Sequence, residues 1–166
     1  MSASSFDVTS TVDLQEVDNA VNQARKELAQ RYDFKGSRAS IDFGRGDGTL
    51  TLVADDEFKL TALWEVLHSK LVRRGVPVKN LKRGDIERGA NDTVRQDVLL
   101  QQGIPSEAAR AIAKFIKDRK LKKIQAAIQG DQLRISSPSK NDLQSVMGLL
   151  REEDFGVELQ FGNYRD

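Results

Sequence analysis

The chain lacks the residues from which many enzymes and metal sites are built. It has no cysteine and a single histidine, His68, among its 166 residues. Without cysteine there is no disulfide framework, thiolate metal site or thiol nucleophile, and one histidine excludes a metal site with several histidine ligands. No apolar run approaches the roughly 20 residues of a membrane-spanning helix, and residues 1–6 lack the basic and apolar regions of a secretory signal. We therefore expect a soluble, cytoplasmic protein with no metal, cofactor or membrane partner.

One apolar pattern occurs twice, and the two copies lie 83 positions apart at residues 41–67 and 124–150. In each copy two apolar strand patterns flank a short glycine-containing turn, and a helical pattern of apolar residues follows. Leu52 of the first copy corresponds to Ile135 of the second, for example. A template that is shared at one fixed offset over two strands and a helix indicates a tandem of one small α/β unit.

Further patterns outside the copies complete each unit. The predicted additional strands are 6–10, 79–86, 93–100 and 157–161, and the additional helices are 14–32 and 105–116. The order is βαββαβ written twice, which is the ferredoxin-like pattern. The predicted fold class is α+β, with two ferredoxin-like domains in tandem, each an antiparallel four-stranded sheet with helices on one face and the other face open. Residues 76–90, which carry a proline, glycines and many charges, are predicted to connect the domains.

The glycine-rich segment Gly44-Arg45-Gly46-Asp47-Gly48 has two interpretations. A phosphate-binding loop follows a strand and opens a helix, whereas this segment joins two strands, so a hairpin turn is favoured. For His68, an ordinary place on a helix surface is favoured over a catalytic base, because no nucleophile accompanies it. The chain also lacks a Gly-x-Ser-x-Gly nucleophile elbow. We predict no catalytic residues and no enzyme activity.

Two basic clusters stand out in a chain whose net charge is only +1. Each cluster is either an ordinary solvated surface or a face that meets phosphate groups. The first is favoured as a ligand site because it includes the predicted connector, and ligand clefts tend to form between domains. The first cluster contains Lys70, Arg73, Arg74, Lys79, Lys82, Arg83 and Arg88, and the second contains Arg110, Lys114, Lys117, Arg119, Lys120, Lys122 and Lys123.

Arg134 is a candidate ligand contact on a predicted strand. It lies between Leu133 and Ile135, which point inward, so its side chain is expected on the open face of the sheet. There a guanidinium stacks on a base or holds a phosphate. RNA-recognition domains of this fold place stacking aromatics on the third strand, and neither copy has one there. Phe161 and Tyr164 are candidates to stack on a base. The equally favoured alternative is that Phe161 belongs to the core and Tyr164 to the rim of the sheet.

Motifs along the whole chain carry a family resemblance. They include Ser5-Phe6-Asp7-Val8, Arg31-Tyr32-Asp33-Phe34-Lys35-Gly36-Ser37, Lys70-Leu71-Val72-Arg73-Arg74-Gly75-Val76 and Phe161-Gly162-Asn163-Tyr164-Arg165-Asp166. These segments resemble the YajQ family of bacterial proteins, and the resemblance is weakest at residues 84–97. It implies two ferredoxin-like domains that exchange their first strands: residues 11–100, completed by strand 93–100, and residues 1–10 with 101–166. It also implies nucleotide binding, in some members of the second messenger cyclic di-GMP, and a link to RNA.

We therefore expect a non-catalytic protein that binds a guanine nucleotide or cyclic di-GMP and acts as a signalling receptor for a protein partner. The ligand class comes from the resemblance, whereas the open sheets and the basic segment supply the physical argument for an anion-binding cleft. The alternative is an RNA- or tRNA-binding protein that uses the basic inter-domain surface. A protein-binding adaptor is disfavoured by polar residues such as Thr51 on the open faces. The candidate nucleotide-binding residues are Arg73, Arg74, Lys79, Lys82, Arg83 and Arg134.

Overall fold

The computed structural model describes residues 3–121 and 123–166. The helices are α1 (Leu14–Gln30), α2 (Glu57–Arg73), α3 (Ser106–Asp118) and α4 (Lys140–Glu152). The strands are β1 (Ser4–Thr9), β2 (Ser40–Gly44), β3 (Thr49–Ala54), β4 (Leu81–Arg88), β5 (Val94–Leu100), β6 (Gln125–Gln129), β7 (Gln132–Ser137) and β8 (Gln160–Arg165). Within the described ranges, no helix has the length and apolar character that crossing a bilayer requires.

The strands form two antiparallel sheets of four strands each, with the orders β2-β3-β5-β4 and β6-β7-β1-β8. Helices α1 and α2 contact strands of the first sheet, and α3 and α4 contact strands of the second. This arrangement confirms the predicted α+β class with two ferredoxin-like domains in tandem. β1 pairs with β7 and β8, and β5 pairs with β3 and β4. The exchange of first strands between two ancestral modules stays a prediction.

The chain divides into two compact units. The central unit is Val12–Gln101, and the terminal unit is Met1–Thr11 together with Gln102–Asp166. Each unit has an apolar core of its own, as an independent domain requires. The domain limits that the family resemblance implies stay predictions.

The core of the central unit lies between its sheet and helices α1 and α2. Leu50 and Leu52 alternate along β3 with half-buried residues, and both are fully buried. Leu63 of α2 belongs to the same cluster of buried side chains. The Asp56 side chain accepts a hydrogen bond of 2.8 Å from the backbone amide of Lys59. This contact caps the first turn of α2, so the sequence fixes where the helix begins.

The terminal unit repeats this construction. β7 begins at Gln132 and α4 at Lys140, each 83 positions beyond the start of β3 or α2. Leu133 and Ile135 of β7 are 0% exposed and pack in one cluster with residues of α3 and α4. The offset of 83 that the apolar pattern predicts is therefore confirmed for the second strand of the hairpin and for the helix. It is wrong for the first strand: Ile41 pairs with Leu52, but the residue that pairs with Ile135 is Ala126, 85 positions beyond Ile41, because the second turn is two residues shorter.

Two predicted segments differ from the structure. Residues 76–90 are not a connector, because β4 is hydrogen-bonded to β5 as an edge strand of the central unit. Its strand signal is weak since every residue after Leu81 is exposed, so no burial pattern is imposed on the sequence. The last strand is Gln160–Arg165 rather than 157–161. Val157 supplied the misleading signal, because it is buried but precedes the strand.

Candidate functional site

A row of polar residues crosses the face of the terminal unit's sheet that lies away from α3 and α4. Asp7 on β1 is the register partner of Arg134 on β7 and of Gly162 on β8. The neighbours of Asp7, Phe6 and Val8, lie in the core on the helix side, so the side chain of Asp7 points to the opposite face. By the same alternation Arg134 lies on that face, as its place in the sequence predicts.

Asp7 accepts hydrogen bonds from two neighbouring strands. Nε of Arg134 donates to Oδ1 at 3.1 Å, and Nδ2 of Asn163 donates to Oδ2 at 2.6 Å. Only 6% of Asp7 is exposed. The Asn163 hydrogen bond lowers the pKa of Asp7 most, against the opposing effect of burial, and Arg134 and the charge of Arg165 lower it further. The carboxylate therefore stays ionised and holds Arg134 in place.

The contact with Asp7 leaves the outer edge of the Arg134 guanidinium available. It uses Nε, and no hydrogen bond or ion pair with the described residues uses the two terminal nitrogens. The side chain of Arg134 is 31% exposed. A guanidinium that is fixed through Nε presents its terminal N–H groups as a planar fork. Such a fork matches a phosphate or the O6 and N7 edge of guanine.

The central unit carries the corresponding carboxylate with a different partner. Asp97 on β5 is the register partner of Thr51 on β3, and Thr51 lies 83 positions before Arg134. The Thr51 hydroxyl donates to Oδ1 of Asp97 at 3.1 Å, and Nη2 of Arg95 lies 3.5 Å from the same oxygen. A hydroxyl offers a single donor and no charge. Of these two equivalent positions, the one in the terminal unit therefore has the guanidinium fork.

The candidates of the first basic cluster belong to the central unit, and Arg74 and Arg83 contact other side chains there. The Arg83 guanidinium lies 4.7 Å from the ring centroid of Trp64 on α2 and donates to Oε1 of Gln96. Its side chain therefore lies on the face of the sheet that the helices cover. Nε of Arg74 lies 3.4 Å from Oε2 of Glu16, too poorly aligned for a hydrogen bond. The structure thus places these candidates and Arg134 in different units. The exposed candidates of the cluster are Arg73, Lys79, Lys82 and Arg83.

The second basic cluster lies on α3 and the loop that follows it. Arg110, Lys114 and Lys117 are exposed along one side of the helix, at the spacing of successive turns. None of these three cations has an ion pair with a residue that the structure describes. Arg119 instead lies over the Phe115 ring, 4.4 Å from its centroid. Lys122, which the sequence places in this cluster, lies outside the described residues.

The candidate stacking residues near the C-terminus contact the core and α4. Phe161 meets the Phe6 ring edge-on, with the ring centroids 5.8 Å apart. The Arg151 guanidinium lies 5.1 Å from the centroid of the Phe161 ring. The Tyr164 hydroxyl is 3.8 Å from Sδ of Met147. These contacts favour the core interpretation for Phe161 and the rim interpretation for Tyr164.

The structure agrees with the hairpin turn that was favoured for residues 44–48 and with the ordinary helix position that was favoured for His68. Residues 45–48 form the turn between β2 and β3, in which Gly48 has a φ of 65°. His68 packs beside Trp64, with 5.5 Å between the ring centroids. In the part of the chain that the structure describes, no group of three histidine, aspartate or glutamate residues is arranged to hold a metal ion.

Sequence reasoning missed Asp7 and Asn163 as parts of the site. A signal for Asp7 was present, because an acid between two inward-pointing apolar residues must lie on the open face. Asn163 gave no such signal. Its amide reaches Asp7 only through the pairing of β8 with β1.

Asp7→Asn is expected to destabilise the terminal unit at neutral pH and to matter less in acid. Because the folded pKa of Asp7 is lowered from the ordinary value of 3.8, its ionised form stabilises the fold above that value, and this stabilisation is lost as the pH falls through the folded pKa. Hydrogen bonds to a charged group contribute about 1.5–3 kcal/mol. Urea denaturation at neutral pH and stepwise down to about pH 2 measures the change.

The matched control is Asp97→Asn in the central unit, where the side chain is 52% exposed. Exchange of an exposed carboxylate changes stability by only about 0.5 kcal/mol. If Asp7→Asn lost the same stability at every pH, the ionised form of Asp7 would not be the source of the effect.

The chain is similar throughout its length to proteins with a common description. A family model described as "Nucleotide-binding protein YajQ-like" matches residues 4–165. A "Nucleotide-binding protein" of Desulfitobacterium hafniense is 50% identical over 162 residues, which cover 98% of each chain. Relatives with the same description from Heliobacterium modesticaldum (51% identical; 97% of this chain and 96% of the relative) and Chloroherpeton thalassium (48% identical; 97% of each) match over 161 residues. The matched range includes both units and the polar row of Asp7.

Proposed function

This chain belongs to the YajQ-like family of nucleotide-binding proteins, and from this premise we propose that its ligand is a guanine nucleotide or cyclic di-GMP. The proposed site is the polar row on the terminal unit's sheet. The observation that carries the proposal is the Arg134 guanidinium, which Asp7 holds through Nε while the terminal nitrogens remain available. We further propose that the protein binds its ligand without catalysis and signals to a protein partner.

Guanine and phosphate both suit the fork of Arg134. Guanine presents O6 and N7 as two acceptors to a bidentate guanidinium, whereas adenine has an amino donor in place of O6. A phosphate group also offers two acceptor oxygens to the fork. Cyclic di-GMP contains both groups. Because Asp7 already fixes the orientation of Arg134, less conformational freedom is lost when a ligand binds.

The arrangement of Asp7 supports binding rather than catalysis. Both of its oxygens accept hydrogen bonds and its pKa is lowered, whereas an efficient general base needs a pKa near the working pH. A protein that does not turn its ligand over releases it unchanged, so the occupancy of its site reports the concentration of the ligand, as a receptor requires.

The candidates of the central unit are proposed as phosphate contacts on that unit itself. A ligand would compete with Glu16 for Arg74 and with Trp64 for Arg83. Contacts of this kind add affinity for any phosphate but no preference for guanine. Arg73, Lys79, Lys82 and Arg83 are the exposed residues among these candidates.

Binding of RNA or tRNA is a second candidate function, and a different surface favours it. Arg110, Lys114 and Lys117 line one exposed side of α3 without ion pairs to the described residues. An extended polyanion would meet several of these cations at once and release counterions as it binds. A single nucleotide would meet fewer of them.

Calorimetric titration of the full chain with GMP, GTP, cyclic di-GMP, AMP and a tRNA tests both functions. We expect the guanine compounds to bind about tenfold tighter than AMP, with a weak dependence on salt. RNA that contacts three cations would give a slope of log affinity against log salt of about −2. The proposal fails if no guanine compound binds, and a steep salt slope with tRNA alone would establish the second function instead.

A further inference from the structure

Strand β8 contains a bulge next to Asp7. Gly162 pairs with Asp7 and Arg165 pairs with Ser5, so two residues of β8 lie opposite the single residue Phe6. Such an extra residue is a β-bulge. The first of the two, Asn163, has a φ of 53°, in the left-handed region that asparagine tolerates better than most residues.

Because of the bulge, Gly162 and Arg165 of β8 both lie on the polar face. Without it, the alternation of side chains would place them on opposite faces. Gly162 and Arg165 are partners of Asp7 and Ser5, which lie two residues apart on β1 and therefore share a face. In a regular strand, residues three positions apart point to opposite faces. The intervening Tyr164 is turned toward Met147 on the helix side.

Gly162 leaves open space beside Asp7. Apart from the adjacent Phe161 and Asn163, no residue has a heavy atom within 4 Å of a Cβ atom built at Gly162. Its φ lies outside the left-handed region, so the backbone itself does not require glycine. Glycine inside a strand often marks a place where a ligand approaches the backbone closely. The free space therefore lies in the polar row itself, next to the carboxylate that holds Arg134.

Arg165 supplies a second guanidinium at the edge of this space. It is exposed and has no ion pair with a residue in the described ranges. Arg134 lies on β7 and Arg165 on β8, with β1 between the two strands. Arg134 pairs with Asp7 and Arg165 with Ser5, so the two arginines are offset by two residues along the strand direction. Standard strand spacings put their Cα atoms about 12 Å apart. A mononucleotide can bridge two long side chains at this separation between its base edge and its phosphate.

We propose that Arg165 is the phosphate-binding residue of this face: the ligand lies over Gly162, Arg134 contacts the guanine edge, and Arg165 contacts the phosphate. This inference rests on the proposed function and adds a specificity to it. The site takes nucleoside phosphates and discriminates against the corresponding nucleosides, because a guanidinium opposite a phosphate forms charge-assisted hydrogen bonds that a hydroxyl cannot replace.

Competition titration of GMP and guanosine against a fluorescent guanine nucleotide tests the assignment. The wild-type chain is expected to bind GMP about tenfold or more tightly than guanosine. Arg165→Gln is expected to remove this preference and to leave the affinity for guanosine unchanged. The matched control is Arg95→Gln, which removes an arginine beside the equivalent carboxylate Asp97 of the central unit and is expected to retain the preference.

Gly162→Leu provides an independent test that leaves both arginines in place. Outside the two adjacent residues, the added Cβ meets no atom within 4 Å, so the circular dichroism spectrum is expected to be unchanged while the affinity for GMP falls about tenfold or more. The inference is overturned if Arg165→Gln keeps the preference for GMP, or if Gly162→Leu binds GMP as the wild type does. If the wild type binds no guanine compound at all, the proposed function fails first.

Discussion

Arg134→Gln is expected to weaken the binding of GMP or cyclic di-GMP about ten- to hundredfold, because a bidentate arginine contact to guanine is worth about 1–3 kcal/mol. Glutamine is uncharged and cannot present the two parallel N–H groups of the fork. Its amide can still donate to Asp7, so the sheet is expected to keep its structure. Calorimetric titration of the variant and the wild type measures the change, and thermal denaturation checks that both are folded.

Two further variants decide what the loss means. Arg134→Lys keeps the positive charge without the fork, so it is expected to bind nearly as weakly as Arg134→Gln. Arg95→Gln removes an arginine from the central unit's sheet and is expected to bind like the wild type. Full affinity in Arg134→Lys would show that charge alone acts at this position, and the bidentate contact with guanine would have to be abandoned.

Leu133→Ala is expected to lower the free energy of unfolding of the terminal unit by about 2–5 kcal/mol, as for other buried leucines. Leu133 is 0% exposed on β7 and packs in the core beside the strand that carries Asp7. The truncation leaves a cavity, because the surrounding side chains relax only partly. Leu50→Ala, at the equivalent position of the central unit, is expected to have an effect of the same size. Urea denaturation followed by circular dichroism measures both changes.

Ile128→Ala is the matched control for this prediction. Ile128 is the register partner of Leu133 on β6 but is 47% exposed. Truncation of a half-exposed side chain creates no closed cavity, so the loss is expected to be about 1 kcal/mol or less. Equal losses in Leu133→Ala and Ile128→Ala would contradict a core centred on the inward side of β7.

Much of the architecture follows from patterns that extend over a few residues. The alternation around Leu50 and Leu52, and its recurrence around Leu133 and Ile135, predicts both hairpins and the tandem of modules. The direction of Arg134 follows in the same way, because its two neighbours are buried. The sequence predicts a strand at residues 79–86, which β4 confirms, but the exposed residues of this strand alternate with nothing buried, so the segment around it was also interpreted as a connector. The basic residues around it were therefore assigned to a connector that does not exist.

The sequence by itself determined the duplicated module, its strands and helices, and the face on which Arg134 lies, because the periods of strands and helices are local properties of the chain. Only the tertiary structure decided what Arg134 contacts: its hydrogen bond to Asp7 joins residues 127 positions apart. The tertiary structure also decided that Arg165 shares this face. One extra residue in β8 reverses the alternation, and every side chain beyond it moves to the opposite face of the sheet. That bulge exists only through pairing with β1, where Asn163 meets Asp7 across 156 positions, so no local pattern could reveal it.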